Sequence, residues 1–192
     1  MSDEAVRKVL KTIMNSGHFS ALEHASYTFA IDGVSRALTH QLVRHRLASY
    51  NQQSQRYVSY AEEPTFIVPP AVAADEAVLD RFNAATAQAF SAYRELIDSG
   101  VSAEDARYLL PNAMETKITV TMNVRELLHF LELRCCKRAQ WEIRALALTM
   151  LDLVEPTAPY IFMDAGASCR RGPCREGVMT CGDPYPKAPK RD

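Results

Sequence analysis

Between Asp75 and Gly100 the apolar residues Val78, Phe82, Ala85, Ala89, Tyr93 and Leu96 recur at steps of four or three. Residues at those steps share one face of an α-helix, so the spacing predicts a single long helix from about Asp75 to Ser99. Gly100 is placed to stop it. The stripe is narrow and coiled-coil-like, which suits packing within the chain or contact with a second subunit.

The rest of the chain alternates between the two periods. Val6, Val9, Leu10, Ile13 and Met14 form an amphipathic stripe closed by Gly17, and Val34, Leu38 and Leu42 place a helix over Val34 to Val43. Ser102 with Asp105 resembles a cap for a short helix carrying Arg107 and ending before Pro111. Asn123 with Glu126 caps a helix over Val124–Arg134, and a further helix covers about Ala139–Val154, ending before Pro156. Strand alternation shows in Tyr27, Phe29 and Ile31, closed by Gly33, and in Thr116, Ile118, Val120 and Met122. Arg56 to Tyr60 reads as a short strand. Pro64, Pro69 and Pro70 mark an extended connection.

Composition narrows the classes of function. The 192 residues carry a formal net charge of −1, which weighs against a nucleic-acid binder and favours a small phosphorylated ligand. No run of about eighteen apolar residues is available to span a membrane. The acidic start Met1-Ser-Asp-Glu is unlike a signal peptide. Five cysteines, an odd number, are best read as reduced thiols of a cytoplasmic protein. Three of them, Cys169, Cys174 and Cys181, fall in a Gly-, Pro- and Arg-rich stretch from Ala165. That stretch is expected to be a disordered tail, with a metal clip the weaker alternative, because its Cys-x4-Cys-x6-Cys spacing is not a recognised zinc spacing and offers three thiols at most; no metal site is assigned.

The densest chemistry lies in a motif expected to follow the helix end as a loop, Arg44-His45-Arg46-Leu-Ala-Ser-Tyr-Asn-Gln52-Gln53-Ser54-Gln55-Arg56-Tyr57. Each guanidinium is a rigid fork of donors that pairs bidentately with a phosphate or a carbonyl edge. Arg-His-Arg, seven residues, then serine resembles the signature of the flavin-dependent thymidylate synthases. His18-Phe-Ser20-Ala-Leu-Glu23-His24, Asn123-Val124-Arg125 with His129 and Arg134, and Ala139-Gln140-Trp141-Glu142-Ile143 resemble three further segments of that family, in order. The likeness extends to the start of the tail.

The elements and the resemblance together imply an α+β fold. It is a single domain over 1–164 with a mostly antiparallel sheet packed by helices, followed by the tail 165–192. The resemblance implies reductive methylation of dUMP to dTMP, with 5,10-methylenetetrahydrofolate as carbon donor and NADPH as reductant through bound FAD. It assigns FAD contacts to Ser20, Arg44, His45, Arg46, Gln52, Asn123, Val124, Arg125 and His129. It assigns dUMP contacts to Gln41, Leu42, Val43, Arg44, Gln52, Gln53, Ser54, Gln55, Arg56, Arg107 and Arg134. Arg134 corresponds to the arginine that polarises the uracil ring, and His18 to a histidine near the folate and flavin. A homotetramer with sites shared between subunits is implied as well.

Blander readings stand beside these. Glu132 and Glu104 are available as salt-bridge partners for Arg134 and Arg107, Asn123 is explained by capping, and Trp141 suits a core. Cys135, Cys136 and Cys174 read as packing or tail residues, not nucleophiles. Two departures from the family pattern are visible. Gln52 stands where a glutamate is frequent, and the chain begins almost at the first helix, without the usual N-terminal strand. A flavoprotein acting on another pyrimidine nucleotide, or a non-catalytic nucleotide-binding module, are the alternatives. Turnover of dUMP by a yellow protein separates enzyme from module, and turnover of other nucleotides separates the two enzymes.

Overall fold

A computed structural model describes residues 2–62 and 64–189. Met1 and the last three residues of the expected tail lie outside them. In chain order the elements are α1 (Asp3–Ser16), β1 (Ser26–Ser35), α2 (Arg36–Leu42), β2 (Ala48–Gln52), α3 (Pro70–Ala73), α4 (Glu76–Asp98), α5 (Ala103–Ala106), β3 (Glu115–Asn123), α6 (Val124–Arg134), α7 (Trp141–Val154) and α8 (Pro159–Phe162). Among the described residues three strands form a small antiparallel sheet in the order β1-β3-β2, with helices packed on it. The expected α+β class is what the chain forms. No helix among the described residues is long and apolar enough to cross a membrane.

The caps explain the helix boundaries. Ser2 Oγ accepts from the Ala5 N–H at 3.3 Å, and Gly17 ends α1 at φ +69°, a conformation glycine adopts without a Cβ clash. The Asp75 carboxylate accepts from the N–H groups of Ala77 and Val78 at 3.0 and 3.2 Å, which starts α4 one residue after the expected position. Asn123 Oδ1 accepts from Glu126 N–H at 2.9 Å, and Gln140 Oε1 accepts from Glu142 and Ile143 at 3.0 and 3.1 Å. Each such cap contributes about 1 kcal/mol.

Three local expectations differ from what the chain does. The first strand does not stop at Gly33. Gly33 takes φ +66° within β1, which runs on to Ser35, and Ser35 Oγ then caps α2 through Leu38 N–H. The motif does not remain a loop throughout, since Ala48–Gln52 joins the sheet as β2. The expected strand Arg56–Tyr60 is absent. Ser54 Oγ accepts from the Arg56 N–H and the Ser54 carbonyl from Val58 N–H, which makes a turn. The Tyr60 backbone is satisfied by side chains, its N–H by the Tyr93 hydroxyl and its carbonyl by Arg94.

The chain forms two compact units, each assembled from more than one stretch. The first takes Met1–Thr28, His45–Ser49 and Thr121–Asp192, and its core holds Leu127, Phe130, Leu131, Ile143, Met150 and Phe162. Tyr27 meets Phe162 edge-on and hydrogen-bonds Thr157 at 2.6 Å. The second takes Phe29–Arg44 and Tyr50–Val120. Along β3 its Thr116, Ile118 and Val120 are buried while Lys117 and Thr119 are exposed, the alternation expected of a half-buried strand. On α4 the buried face is Thr86, Phe90 and Tyr93, and Tyr60, Phe66, Leu96, Ile97, Val101 and Leu110 pack against the last two and Ala106. Val78, at the start of the predicted stripe, is exposed.

The tail corrects the expectation of disorder over its described residues, 165–189. Ala165, Ala167 and Cys169 are buried. Arg170 donates to the Ala165 carbonyl at 2.5 Å, and Lys187 Nζ to the carbonyls of Cys169 and Gly172 at 3.1 and 2.7 Å. Arg171 and Arg175 both reach Glu132 on α6 at 2.5 Å. The arginine content that reads as disorder supplies the donors that tie an irregular segment to the first unit. All five cysteines are free thiols, and burial pushes Cys135 up to about 12, so it packs as a small apolar side chain. Four of the five line one small cavity at the tail. Among the described residues, no group of three or more His, Cys, Asp or Glu side chains is arranged to hold a metal ion.

Candidate functional site

In the first unit the site is built on α6, whose start and end both carry predicted residues. Asn123 caps it through the Glu126 N–H, and its first turn carries the positive end of the helix dipole. Arg125 lies in that turn, exposed, with Nη1 2.5 Å from Glu23 Oε1. Val124 is buried and its N–H is spent on the Ala25 carbonyl at 2.9 Å. Ser20 and His18 are exposed, Ser20 within and His18 just before the 3-10 turn Phe19–His24. Arg46 is exposed and has no salt bridge among the described residues.

The other end of α6 meets His45. This imidazole is only 4% exposed. Arg134 Nε donates to His45 Nε2 at 3.0 Å, and His45 Nδ1 lies 3.4 Å from Glu126 Oε1, one oxygen of a carboxylate that is itself buried. Phe130 stands edge-on to the ring at 5.0 Å between centroids and His129 at 5.9 Å. Burial, then the neighbouring Arg134 and His129, lower His45 to about 4, so the ring is neutral near pH 7. A neutral imidazole has one N–H. With Nε2 accepting from Arg134, that proton belongs on Nδ1, facing Glu126. Burial raises Glu126 and lowers Arg134, with His129 opposing the shift of Glu126.

In the second unit the predicted nucleotide residues form a separate polar group. Gln41 is half-buried, Leu42 is fully buried with its carbonyl accepting from the Tyr50 hydroxyl at 2.8 Å, and Val43 and Arg44 are exposed. Gln52 donates its amide to Thr39 Oγ1 at 2.9 Å, a bond a glutamate could make only by accepting from the threonine. The Gln53 carbonyl accepts from Arg36 at 3.2 Å, and Gln55 reaches Met114 Sδ at 3.3 Å. Glu104 organises two arginines here. Its carboxylate pairs with Arg56 Nε at 2.6 Å, and its backbone carbonyl accepts from Arg107 Nε at 3.0 Å. Ser102 Oγ bonds the Asp105 carboxylate at 3.0 Å instead of capping a backbone N–H.

Three residues at these groups escape a reading of the sequence. Arg36 is half-buried and its pKa is lowered first by burial, with Tyr60 opposing and Arg107 adding to the effect. Its only sequence signal is its place directly after the cap Ser35. Glu23 was legible as part of the His18–His24 segment but not as the partner of Arg125. Glu126 was explained by capping alone. The suggested pairing of Glu132 with Arg134 does not form; Glu132 is held by Arg171 and Arg175.

These arrangements suit anionic, planar ligands: guanidinium forks, a helix N-terminus and a neutral buried histidine orienting an arginine. Comparison with known proteins points the same way. Residues 1–160 match the family described as thymidylate synthase complementing protein. A flavin-dependent thymidylate synthase of Geobacter sulfurreducens is 59% identical over 183 residues, covering 95% of this chain and 79% of that protein. Proteins of the same name from Clostridium tetani and Nitratidesulfovibrio vulgaris are 48% and 52% identical, covering 95% and 90% of this chain and 79% and 74% of their own lengths. The four segments that carry the resemblance all fall inside the matched region, and the chain belongs to the flavin-dependent thymidylate synthases, a family of enzymes.

Proposed function

We propose that this protein converts dUMP to dTMP with 5,10-methylenetetrahydrofolate as carbon donor and NADPH as reductant. In that reaction the methylene carbon bonds to C5 of the uracil, the C5 proton leaves, and tetrahydrofolate departs. NADPH supplies the two electrons that complete the methyl group. Bound FAD supplies hydride transfer between the reductant and the nucleotide-borne carbon.

The observation that carries the reading is Arg134, half-buried and fixed through Nε on a neutral histidine. A guanidinium held in that way stabilises negative charge developing on a uracil carbonyl edge, which favours loss of the N3 proton and makes C5 nucleophilic. It needs no thiolate, in keeping with the buried, poorly acidic Cys135 that follows it. Arg44, Arg56 and Arg107, with Gln41, Gln52, Gln53 and Ser54, are the groups for the nucleotide. Leu42 can offer no more than backbone, because its side chain is fully buried; Val43 and Gln55 flank it.

The donor set also fits a flavin dinucleotide. Arg125, in the capped first turn of α6, and the exposed Arg46 are chemically suited to its diphosphate. Ser20, Asn123, His129 and the amide of Gln52 add polar contacts, and His18 lies in the segment assigned to the folate side. Val124, whose N–H is bonded to Ala25, and His45 are buried and act by support. We further propose a homotetramer with sites completed by neighbouring subunits, and a cytoplasmic location consistent with five free thiols. The test is the absorbance of the purified protein followed by anaerobic reduction of its flavin. The proposal requires dUMP and methylenetetrahydrofolate together to reoxidise it. Reoxidation indifferent to dUMP contradicts it.

A further inference from the structure

We propose that Glu126 is a positioning residue for Arg134, acting through His45. Its carboxylate accepts from the Nδ1–H of the imidazole, which leaves Nε2 as the acceptor for Arg134 Nε–H. The inference rests on the reading of Arg134 given above for its catalytic consequence, and on geometry alone for the relay.

Position 126 is the third residue of α6, where a glutamate in a capping box turns its side chain back to the N-cap backbone N–H. Here only half of that exchange is made. Asn123 Oδ1 accepts from Glu126 N–H, while Glu126 Oε1 lies 3.4 Å from His45 Nδ1. The carboxylate is buried, a location in which it needs a hydrogen-bond donor. His45 is the partner.

Two separate constraints then act on the ring. Its orientation is held by Phe130 and His129, edge-on at 5.0 and 5.9 Å, which resist the half-turn that would exchange Nδ1 with carbon. Its tautomer is held by Glu126. Were the proton on Nε2, two N–H donors would face each other across the 3.0 Å gap to Arg134, and the guanidinium would have to move. An acceptor on the far side of a histidine fixing what the near side does is the logic by which outer partners orient histidine ligands and bases generally.

The test uses full-length protein labelled with 15N-histidine. Long-range proton–nitrogen correlation reports which ring nitrogen carries hydrogen, and the His45 signals are identified by their loss in His45→Gln. The proposal expects Nδ1–H in the wild type and in Glu126→Gln, whose amide oxygen still accepts. It expects a shift of the proton to Nε2 in Glu126→Ala and in Glu126→Met, which keeps the volume if the smaller residue does not fold. Kinetically, kcat for dTMP formation should fall about tenfold to a hundredfold in Ala and Met, the scale of one lost charge-assisted hydrogen bond. Glu126→Gln should stay within about threefold, and KM for dUMP and flavin content should hardly change in any of them. An unchanged Nδ1–H in both Ala and Met overturns the proposal, as does a changed tautomer with unchanged kcat. If the wild type makes no dTMP, the functional reading fails, and the nitrogen spectra still decide the relay.

Discussion

The buried histidine makes acid sensitivity a quantitative expectation. His45 is lowered from 6.5 to about 4 in the fold, chiefly by burial, whereas in the unfolded chain it titrates normally. Between those values the unfolded state binds a proton that the folded state refuses, so folding stability is fully present above pH 6.5 and is lost as the pH falls toward 4. At roughly 1.4 kcal/mol per pH unit, this one group removes about 2 kcal/mol by pH 5 and about 3 kcal/mol by pH 4. Glu126 works in the opposite direction: its raised pKa makes the fold a better proton acceptor there, a contribution lost as the pH rises through its folded value. Urea unfolding of wild type and His45→Gln from pH 7.5 to pH 4 isolates the histidine, because Glu126 and the surface carboxylates are common to both. The wild type should lose about 2 to 3 kcal/mol more than the variant across that range. Parallel losses in the two proteins would refute a neutral, buried His45, and with it the tautomer on which the orientation of Arg134 depends.

Replacing Arg134 by alanine should lower kcat roughly a hundredfold to a thousandfold, the usual scale for one electrostatic donor, while flavin absorbance is retained. Near wild-type turnover, or flavin loss from a folded protein, would contradict its role. Arg46→Ala and Arg125→Ala should instead weaken flavin first, by about 1.5–3 kcal/mol each in equilibrium dialysis, the worth of a charged hydrogen bond. Cys174→Ser should leave dTMP formation within a few-fold. Removing the chain after Ala165, by contrast, should cost several degrees of melting temperature, because it strips out buried Ala167 and Cys169 and both partners of Glu132.

Much of the scaffold is legible because its signals are local. The stripe and Asp75 place α4 within a residue of its ends, and Asn123 and Gly17 mark helix termini by their own hydrogen-bonding and backbone preferences. The Arg56–Tyr60 segment misleads because its tyrosines and valine are β-prone residue types, while the Tyr60 backbone is held by side chains of α4, which no local pattern announces. The tail misleads for a related reason. Its composition is that of a disordered segment, yet Arg171 and Arg175 find Glu132 about forty residues upstream. At the site, Arg134 and His45 are visible through the motif, but their contact joins residues far apart in sequence. Glu126 is hidden by a sufficient local explanation. A capping position accounts for the residue type and conceals the long-range partner.

The most direct measurement of the central claim follows the carbon. Purified protein is given dUMP carrying tritium at C5, methylenetetrahydrofolate with a labelled methylene carbon, and NADPH. The account predicts dTMP bearing the labelled carbon, with one C5 tritium released to water for each dTMP formed and no product when NADPH is omitted. Flavin-bound protein that consumes NADPH, releases no tritium and forms no labelled dTMP would contradict it.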